Sequence, residues 1–459
     1  MQALKIADWC AGIFMMCRIS NIMIQAIKLL RDWNKLLLDE AFKKLHIRIG
    51  EHNYVQADEI DDDAKDLGID PNDIEKILNS NIILKIGHLH FSKINKVDAK
   101  KWMNSILEKL AENKNCLTCL EIQNCEKVSA VKIAKLLPNL QSLVLMDRTG
   151  NDNFFMPPSP EGRSLSGISS IVVKIARSEN SLEKLSIHHN DLDKMDDEIV
   201  TEAFCKMREI ETNWTMSKSQ MTLIFSKIAE GCSNIRKFIV EEWGKIQLDY
   251  TQITPDLFTK AICNIEELKM NFASKGHTKI LFDSLSKNPG KLRSLTFTDS
   301  FSIEEYADTE TIAQAVCNLE RVFFEYDISE GLQTAIFRTI AQKKVKLKTL
   351  HKKGSAIKCP DTKAFIKATL KLKSIYFIIG EDLVAKFAEN QLLDAMLEEK
   401  DCSLQSVTLI FRNPKHHYNN KRLFQYPEEK LLRIKENIGK LNIYYSPFLR
   451  GGFEKIFPR

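Results

Sequence analysis

Along most of this chain the apolar residues fall into a six-residue pattern that keeps returning, apolar at its first, fourth and sixth places. It runs Leu117-x-x-Leu120-x-Ile122, Leu140-x-x-Leu143-x-Leu145 and Leu182-x-x-Leu185-x-Ile187, then Ile235-x-x-Phe238-x-Val240, Ile265-x-x-Leu268-x-Met270 and Leu292-x-x-Leu295-x-Phe297. Later copies are Leu319-x-x-Val322-x-Phe324, Leu372-x-x-Ile375-x-Phe377 and Leu404-x-x-Val407-x-Leu409. Alternation of this kind is the mark of a strand with one face buried. Counting less regular copies, repeats start at Ile86, Leu117, Leu140, Leu182, Met207, Ile235, Ile265, Leu292, Leu319, Leu347, Leu372, Leu404 and Ile438. Steps between starts range from 23 residues (Leu117 to Leu140) to 42 (Leu140 to Leu182). Between copies the period becomes helical, as in Ala99 to Leu107, Val128 to Leu137 and Thr278 to Ser286, where Ile280, Leu281 and Leu285 share one face.

A strand followed by a full helix in about 25–30 residues is the long form of a solenoid repeat. Over residues 83–445 the array resembles the leucine-rich-repeat superfamily, in its long, ribonuclease-inhibitor-like form. The resemblance implies an α/β horseshoe solenoid with a concave, strand-lined face. The Asn or Cys that the family places three residues after the last strand leucine occurs only at Cys125 and Asn190. Elsewhere that place holds Arg148, Trp243, Ala273, Ser300, Asp327, Gly380 or Arg412, so a buried side-chain ladder is mostly missing and irregular curvature is expected. The widest step carries a loop insertion, Met156 to Gly162, and residues 412–430, with His416 and His417, read as a second polar loop.

Residues 1–50 read as a small all-helical segment, apolar at Ile19, Met23, Ile27, Leu30, Leu36 and Leu37. Ala26 to Leu37, bearing Arg31 and Trp33, and Asp39 to Ile47, with Phe42 and Leu45, resemble the second half of an F-box, and Ile13-Phe14 stands near that family's spacing to the tryptophan. No Leu-Pro opens the segment, and Cys17-Arg18-Ile19-Ser20-Asn21 replaces the usual Pro-Lys-Asp-like stretch. The resemblance implies docking of a Skp-family adaptor and its cullin complex through Ile13, Phe14, Ala26, Trp33, Leu36, Phe42 and Leu45. The chain would then be the substrate-recognition subunit of an SCF-type cullin ubiquitin ligase, holding a protein substrate on the repeats. The alternative is a plain interaction scaffold, with residues 1–50 as an amphipathic cap on the solenoid. Residues 51–82, acidic from Glu59 to Asp73, read as a linker and a helix capped near Asn72 or Asp73. Residues 446–459 read as a C-terminal cap.

The formal net charge is only +5, from 66 basic and 61 acidic residues over 459, which argues against a nucleic-acid partner. The odd count of 11 cysteines does not suit a disulfide framework, and the single CxxC, Cys116 and Cys119, has no second pair to complete a zinc site. The histidine pairs His88/His90, His188/His189 and His416/His417 lack companions at metal-ligand spacing. There is no GxSxG, and Ile168 stands where a phosphate-binding Gly162 to Gly167 loop needs its lysine. No stretch approaches the ~18–20 apolar residues of a membrane span. The expectation is a non-catalytic protein of the cytoplasm or nucleus, with no cofactor, no metal and no membrane attachment.

Two surfaces remain as binding candidates. Between Lys343 and Lys373 stand eleven lysines against Asp361 as the only acid. They are either a solvated helix face or a patch for an acidic or phosphorylated partner. Alternate strand residues point away from the core, and toward the C-terminus these outward places turn apolar and aromatic. Arg321, Phe323, Tyr376, Ile378, Ile410 and Tyr444 are therefore the candidate partner-binding residues, unless the tail with Phe448, Phe453 and Phe457 folds over them.

Overall fold

A computed structural model of the chain describes residues 46–49, 67–69, 81–91, 99–123, 128–146, 166–188, 192–212, 216–240, 252–270, 272, 274–298, 303–357, 359–379, 391–398, 403–412, 427–446 and 454–457. The fold class is the α/β strand–helix repeat of a leucine-rich-repeat-like solenoid, and it divides into two compact units. One takes in residues up to Ile224 with Ser233–Ile235, the other Phe225–Cys232 and Arg236 onward.

In the first unit the strands are β1 (His46–Ile49), β2 (Leu67–Ile69), β3 (His88–Phe91), β4 (Cys119–Gln123), β5 (Ser142–Met146), β6 (Lys184–His188) and β7 (Glu209–Thr212). They lie parallel in the order β2-β1-β3-β4-β5-β6-β7. Helices α1 (Ala99–Glu112), α2 (Ala130–Leu136), α3 (Ser166–Arg177) and α4 (Asp197–Lys206) alternate with β3–β7. Two strands lie where none was expected: β1 ends the segment read as wholly helical, and β2 falls in the stretch read as a linker. Ile47 of β1 pairs with Leu67 on one side and Leu89 on the other, so the sheet begins well before residue 83.

Helix α5 (Lys218–Glu230) leads into the second unit. Its strands are β8 (Lys237–Val240), β9 (Glu267–Met270), β10 (Ser294–Phe297), β11 (Arg321–Phe324), β12 (Thr349–Ile357), β13 (Ser374–Ile379), β14 (Ser406–Arg412) and β15 (Lys440–Ser446). All eight are parallel and sit in sequence order. A final strand, β16 (Glu454–Phe457), joins β15 antiparallel and satisfies the backbone of that edge. Helices α6 (Pro255–Asn264), α7 (Lys275–Lys287), α8 (Thr309–Asn318), α9 (Glu330–Gln342), α10 (Thr362–Lys371), α11 (Gln391–Glu398) and α12 (Glu428–Ile438) alternate with the strands.

Each of the thirteen strands β3–β15 begins two residues after a predicted repeat start, from His88 after Ile86 to Lys440 after Ile438. The physical cause is uniform: the first motif residue is buried in every copy, and the fourth and sixth point inward from the strand. Buried side chains of this size contribute about 1.5–3 kcal/mol each. In the second unit the core is largely phenylalanine, with Phe272, Phe282 and Phe324 packed around Phe297 at ring-centroid distances of 5.5, 6.0 and 4.9 Å. Phe365 likewise meets Phe337 at 4.9 Å and Phe377 at 5.9 Å.

One inward place carries a charge. In the copy starting at Leu347 the sixth residue is Lys352, and it is buried at 2% exposure with its ammonium 3.7 Å from Asp327. The sheet accommodates it where β12 departs from register, between Lys352, opposite Phe377, and Ile357, opposite Ile379.

Side chains just before the motif tie neighbouring repeats together. In several copies the residue just before the first motif position caps the helix of the preceding repeat, whose last carbonyls have no intrahelical donors. Asn264 Nδ2 donates to the carbonyls of Ile228 and Ala229, and Asn318 Nδ2 to those of Leu285 and Ser286. Lys371 does the same for Ile340 and Ala341 with its ammonium, as does Lys206 for Ala176.

Candidate binding face on the strands

Helices cover one side of each sheet, so the outward strand residues form the other. In the first unit this row is mostly polar, and several of its members pair with one another. His90 Nε2 lies 3.2 Å from Glu121 Oε1, and Lys184 Nζ lies 3.0 Å from Glu209 and 3.4 Å from Glu211. Burial pulls the Lys184 pKa down, but the hydrogen bond to Glu209 and the charges of Glu211 and Glu209 outweigh it and hold the ammonium above its ordinary value. Cys119 shares this face. Burial pushes its thiol up despite a hydrogen bond with Ser142, the opposite of what a reactive thiolate needs. The same cause raises Cys263 and Cys359 and pushes Cys317 up to about 12.

The second unit's face has two halves. Over β8–β11 it is ionic: Glu267 takes Lys237 at 3.6 Å from one side and Arg321 at 3.0 Å from the other, and Lys269 meets Glu325 at 3.1 Å. From β11 onward it turns aromatic. Register sets Phe323 opposite His351, His351 opposite Tyr376, and Tyr376 opposite Thr408. The rings touch: Phe323 and His351 lie edge to face with centroids 4.9 Å apart, His351 and Tyr376 5.9 Å apart, and Lys353 Nζ stands 5.8 Å from the Tyr376 centroid. Aromatic pairs contribute about 0.5–1.5 kcal/mol beyond their buried area, so the row is stiff before any partner arrives. Around it stand hydroxyls and an amide, from Thr349, Ser374, Ser406, Thr408 and Asn442, all part-exposed.

Of the candidate partner-binding residues, Phe323 and Tyr376 thus share one register row, two strands apart. Arg321 stands at the join of the halves, engaged by Glu267. Ile378, Ile410 and Tyr444 form the next row, opposite one another across β13–β15. Tyr444 is part-exposed, but Ile378 and Ile410 are buried at 3% and 1%. The expectation that these two isoleucines present open apolar surface is corrected: they stand on this face but are closed off from solvent. His351 was missed, although a histidine midway in register between Phe323 and Tyr376 could have been found by aligning the repeats. The adaptor candidates Ile13, Phe14, Ala26, Trp33, Leu36, Phe42 and Leu45 all lie outside the described residues.

The basic stretch resolves into separate jobs. Lys371 caps α9, Lys343 donates to Gln314 Oε1 at 3.0 Å, and Lys352 is buried. Lys348 and Lys373 instead sit one residue before β12 and β13, at the foot of the aromatic half, with Lys346 two residues before Lys348. Lys348 Nζ donates to Glu320 at 3.0 Å, and that bond holds the Glu320 carboxyl below the usual carboxylate range.

Among the described residues no group of three or more His, Cys, Asp or Glu could hold a metal ion, and no helix is long and apolar enough to cross a membrane. No protein-family model matches the chain, and no curated protein matches it in sequence.

Proposed function

We propose that this chain is a non-catalytic recognition subunit that holds a protein partner on the sheet face of its second unit. The observation that carries the reading is the pre-stacked row Phe323–His351–Tyr376, ringed by hydroxyls. Rigid aromatic groups at outward places are the usual anchors of protein interfaces. We extend the proposal to a substrate receptor of a cullin-type ubiquitin ligase on the strength of the F-box-like residues Ala26 to Leu45. In that role the chain works by proximity, raising the effective concentration of a substrate lysine near the ligase's charged ubiquitin.

A second reading, a repeat scaffold with no ligase link, draws support from β1. The F-box-like segment runs to Ile47, yet His46 and Ile47 are used by the sheet. Adaptor binding separates the two readings, and it must be tested in the full chain, because removing residues 1–50 would also remove β1. The receptor reading expects the full chain to bind a purified Skp-family adaptor and Trp33→Ala to lose that binding with its melting curve unchanged. No adaptor binding by the folded wild type would leave the scaffold.

A further inference from the structure

We propose that the aromatic half of this face receives an extended, acidic segment of the partner, its carboxylates set against Lys353, Lys373 and Lys440. The inference rests on the reading above that the face binds protein, and it adds the chemistry of what is bound. Its first support is the distribution of charge. The outward places of β12–β15, from Thr349 to Lys353, Ser374 to Ile378, Ser406 to Ile410 and Lys440 to Tyr444, carry no Asp or Glu but do carry Lys353 and Lys440.

The second support comes from the residues one place before the strands. Their backbones form a ladder, each N–H donating to the carbonyl of its predecessor: Glu266 to Arg236, Arg293 to Glu266, Glu320 to Arg293, Lys348 to Glu320 and Lys373 to Lys348. Their charges alternate from Arg236 through Glu266, Arg293 and Glu320 to Lys348. The sixth rung breaks the alternation, for Lys373 follows Lys348 and the next rung is the neutral Gln405. Glu320 already engages Lys348, so the charge that the break leaves over is that of Lys373. The break falls at the foot of the aromatic half.

The third support is exclusion. On β8–β11 the cations Lys237, Arg321 and Lys269 are already engaged by Glu267 and Glu325, so an acidic segment finds its cations on the strands beyond. From β11 to β15 the span is about 19 Å at ~4.8 Å per strand, which an extended chain covers in about six residues. Such a segment can set apolar side chains on the Phe323–Tyr376 row while its carboxylates reach the lysines. A nucleic-acid strand of that length fits less well, because it brings about one charge per nucleotide against few cations and needs a longer series of stacking rings.

The test measures fluorescence anisotropy of the full chain with a labelled peptide of about twelve residues, rich in Glu with two Phe. The competitors are the same peptide with Lys for Glu, and an oligothymidylate of similar length. The acidic peptide should bind at least about tenfold tighter than either competitor and weaken as salt rises. Lys353→Glu with Lys373→Glu should cost about tenfold or more at an unchanged circular-dichroism spectrum, and Glu267→Gln should not weaken binding. Equal binding of the acidic and basic peptides, tighter binding of oligothymidylate, or a folded double variant that binds like wild type would each overturn the proposal. A chain that binds neither peptide, yet cross-links to a partner through position 376, would overturn the acidic-segment inference and leave the protein-binding reading standing.

Discussion

Across the second unit's sheet the same backbone carries two different surfaces. Over β8–β11 each outward cation that the strands present is met by a carboxylate 3.0–3.6 Å away, in the set Lys237, Glu267, Arg321 and Lys269, Glu325. Exposed pairs of this kind add little stability, about 0–1 kcal/mol each. Their main effect is to occupy charge. Over β12–β15 the carboxylates are gone, and stacked rings, hydroxyls and lysines take their place. The core repeats because every copy must bury its first, fourth and sixth residues, whereas nothing in the core dictates the outward ones. Those places are where a repeat protein can specialise without refolding.

The cores beneath the two halves differ as well, and substitutions there give the largest contrast. Phe297 packs on Phe272, Phe282 and Phe324, so Phe297→Ala should cost about 3–5 kcal/mol in urea or thermal unfolding. Lys352 occupies an inward place beside Phe324, Phe337 and Phe377, where most side chains are apolar. Lys352→Met removes a buried charge and should be neutral or stabilising. A large loss from Lys352→Met would mean that its pairing with Asp327 holds the β12 irregularity in place.

A smaller contrast lies in the helix caps. Asp308 caps α8, accepting from the backbone N–H groups of Glu310 and Thr311 and from the Thr311 hydroxyl, and Ser329 caps α9 by accepting from Leu332. Asp308→Ala and Ser329→Ala should each cost about 1 kcal/mol near neutral pH. The hydrogen bonds to Thr311, side chain first and then backbone, hold the Asp308 carboxyl below its ordinary value. A carboxylate depressed in this way stabilises the fold above its unfolded pKa of about 3.9 and ceases to do so as pH falls through its lower folded value. Unfolding curves should therefore show the Asp308→Ala deficit shrinking below about pH 4 while that of Ser329→Ala stays constant.

The solenoid was legible because burial at fixed spacing leaves its mark on residue type, and even the irregular copies at Met207, Leu347 and Ile438 start strands. What stayed hidden had no such mark. Leu67-Gly68-Ile69 is too short to show alternation, and Ile47 and Ile49 lie at the end of a stretch whose apolar spacing is helical. The caps at Asn264, Asn318 and Lys371 depend on a carbonyl about thirty residues earlier in the chain, although Asn directly before the motif at 139, 234, 264 and 318 was a usable hint. The basic stretch reads as one patch in sequence because helix-capping, buried and surface lysines look alike until the helices are placed. Ile378 and Ile410 stand at outward places of the strands, and strand alternation alone carries no sign of their burial.

Site-specific photo-cross-linking tests the central claim most directly. A photoreactive side chain is placed in the full chain at Tyr376 on the aromatic half, at Lys269 on the ionic half and at Ile280 on the exposed face of α7, and exposed to cell extract under light. The account predicts one discrete adduct from position 376, lost when Phe323→Ala is added, and none of that mass from 269 or 280. Adducts of equal yield at all three positions, or a discrete one only at 280, would contradict it.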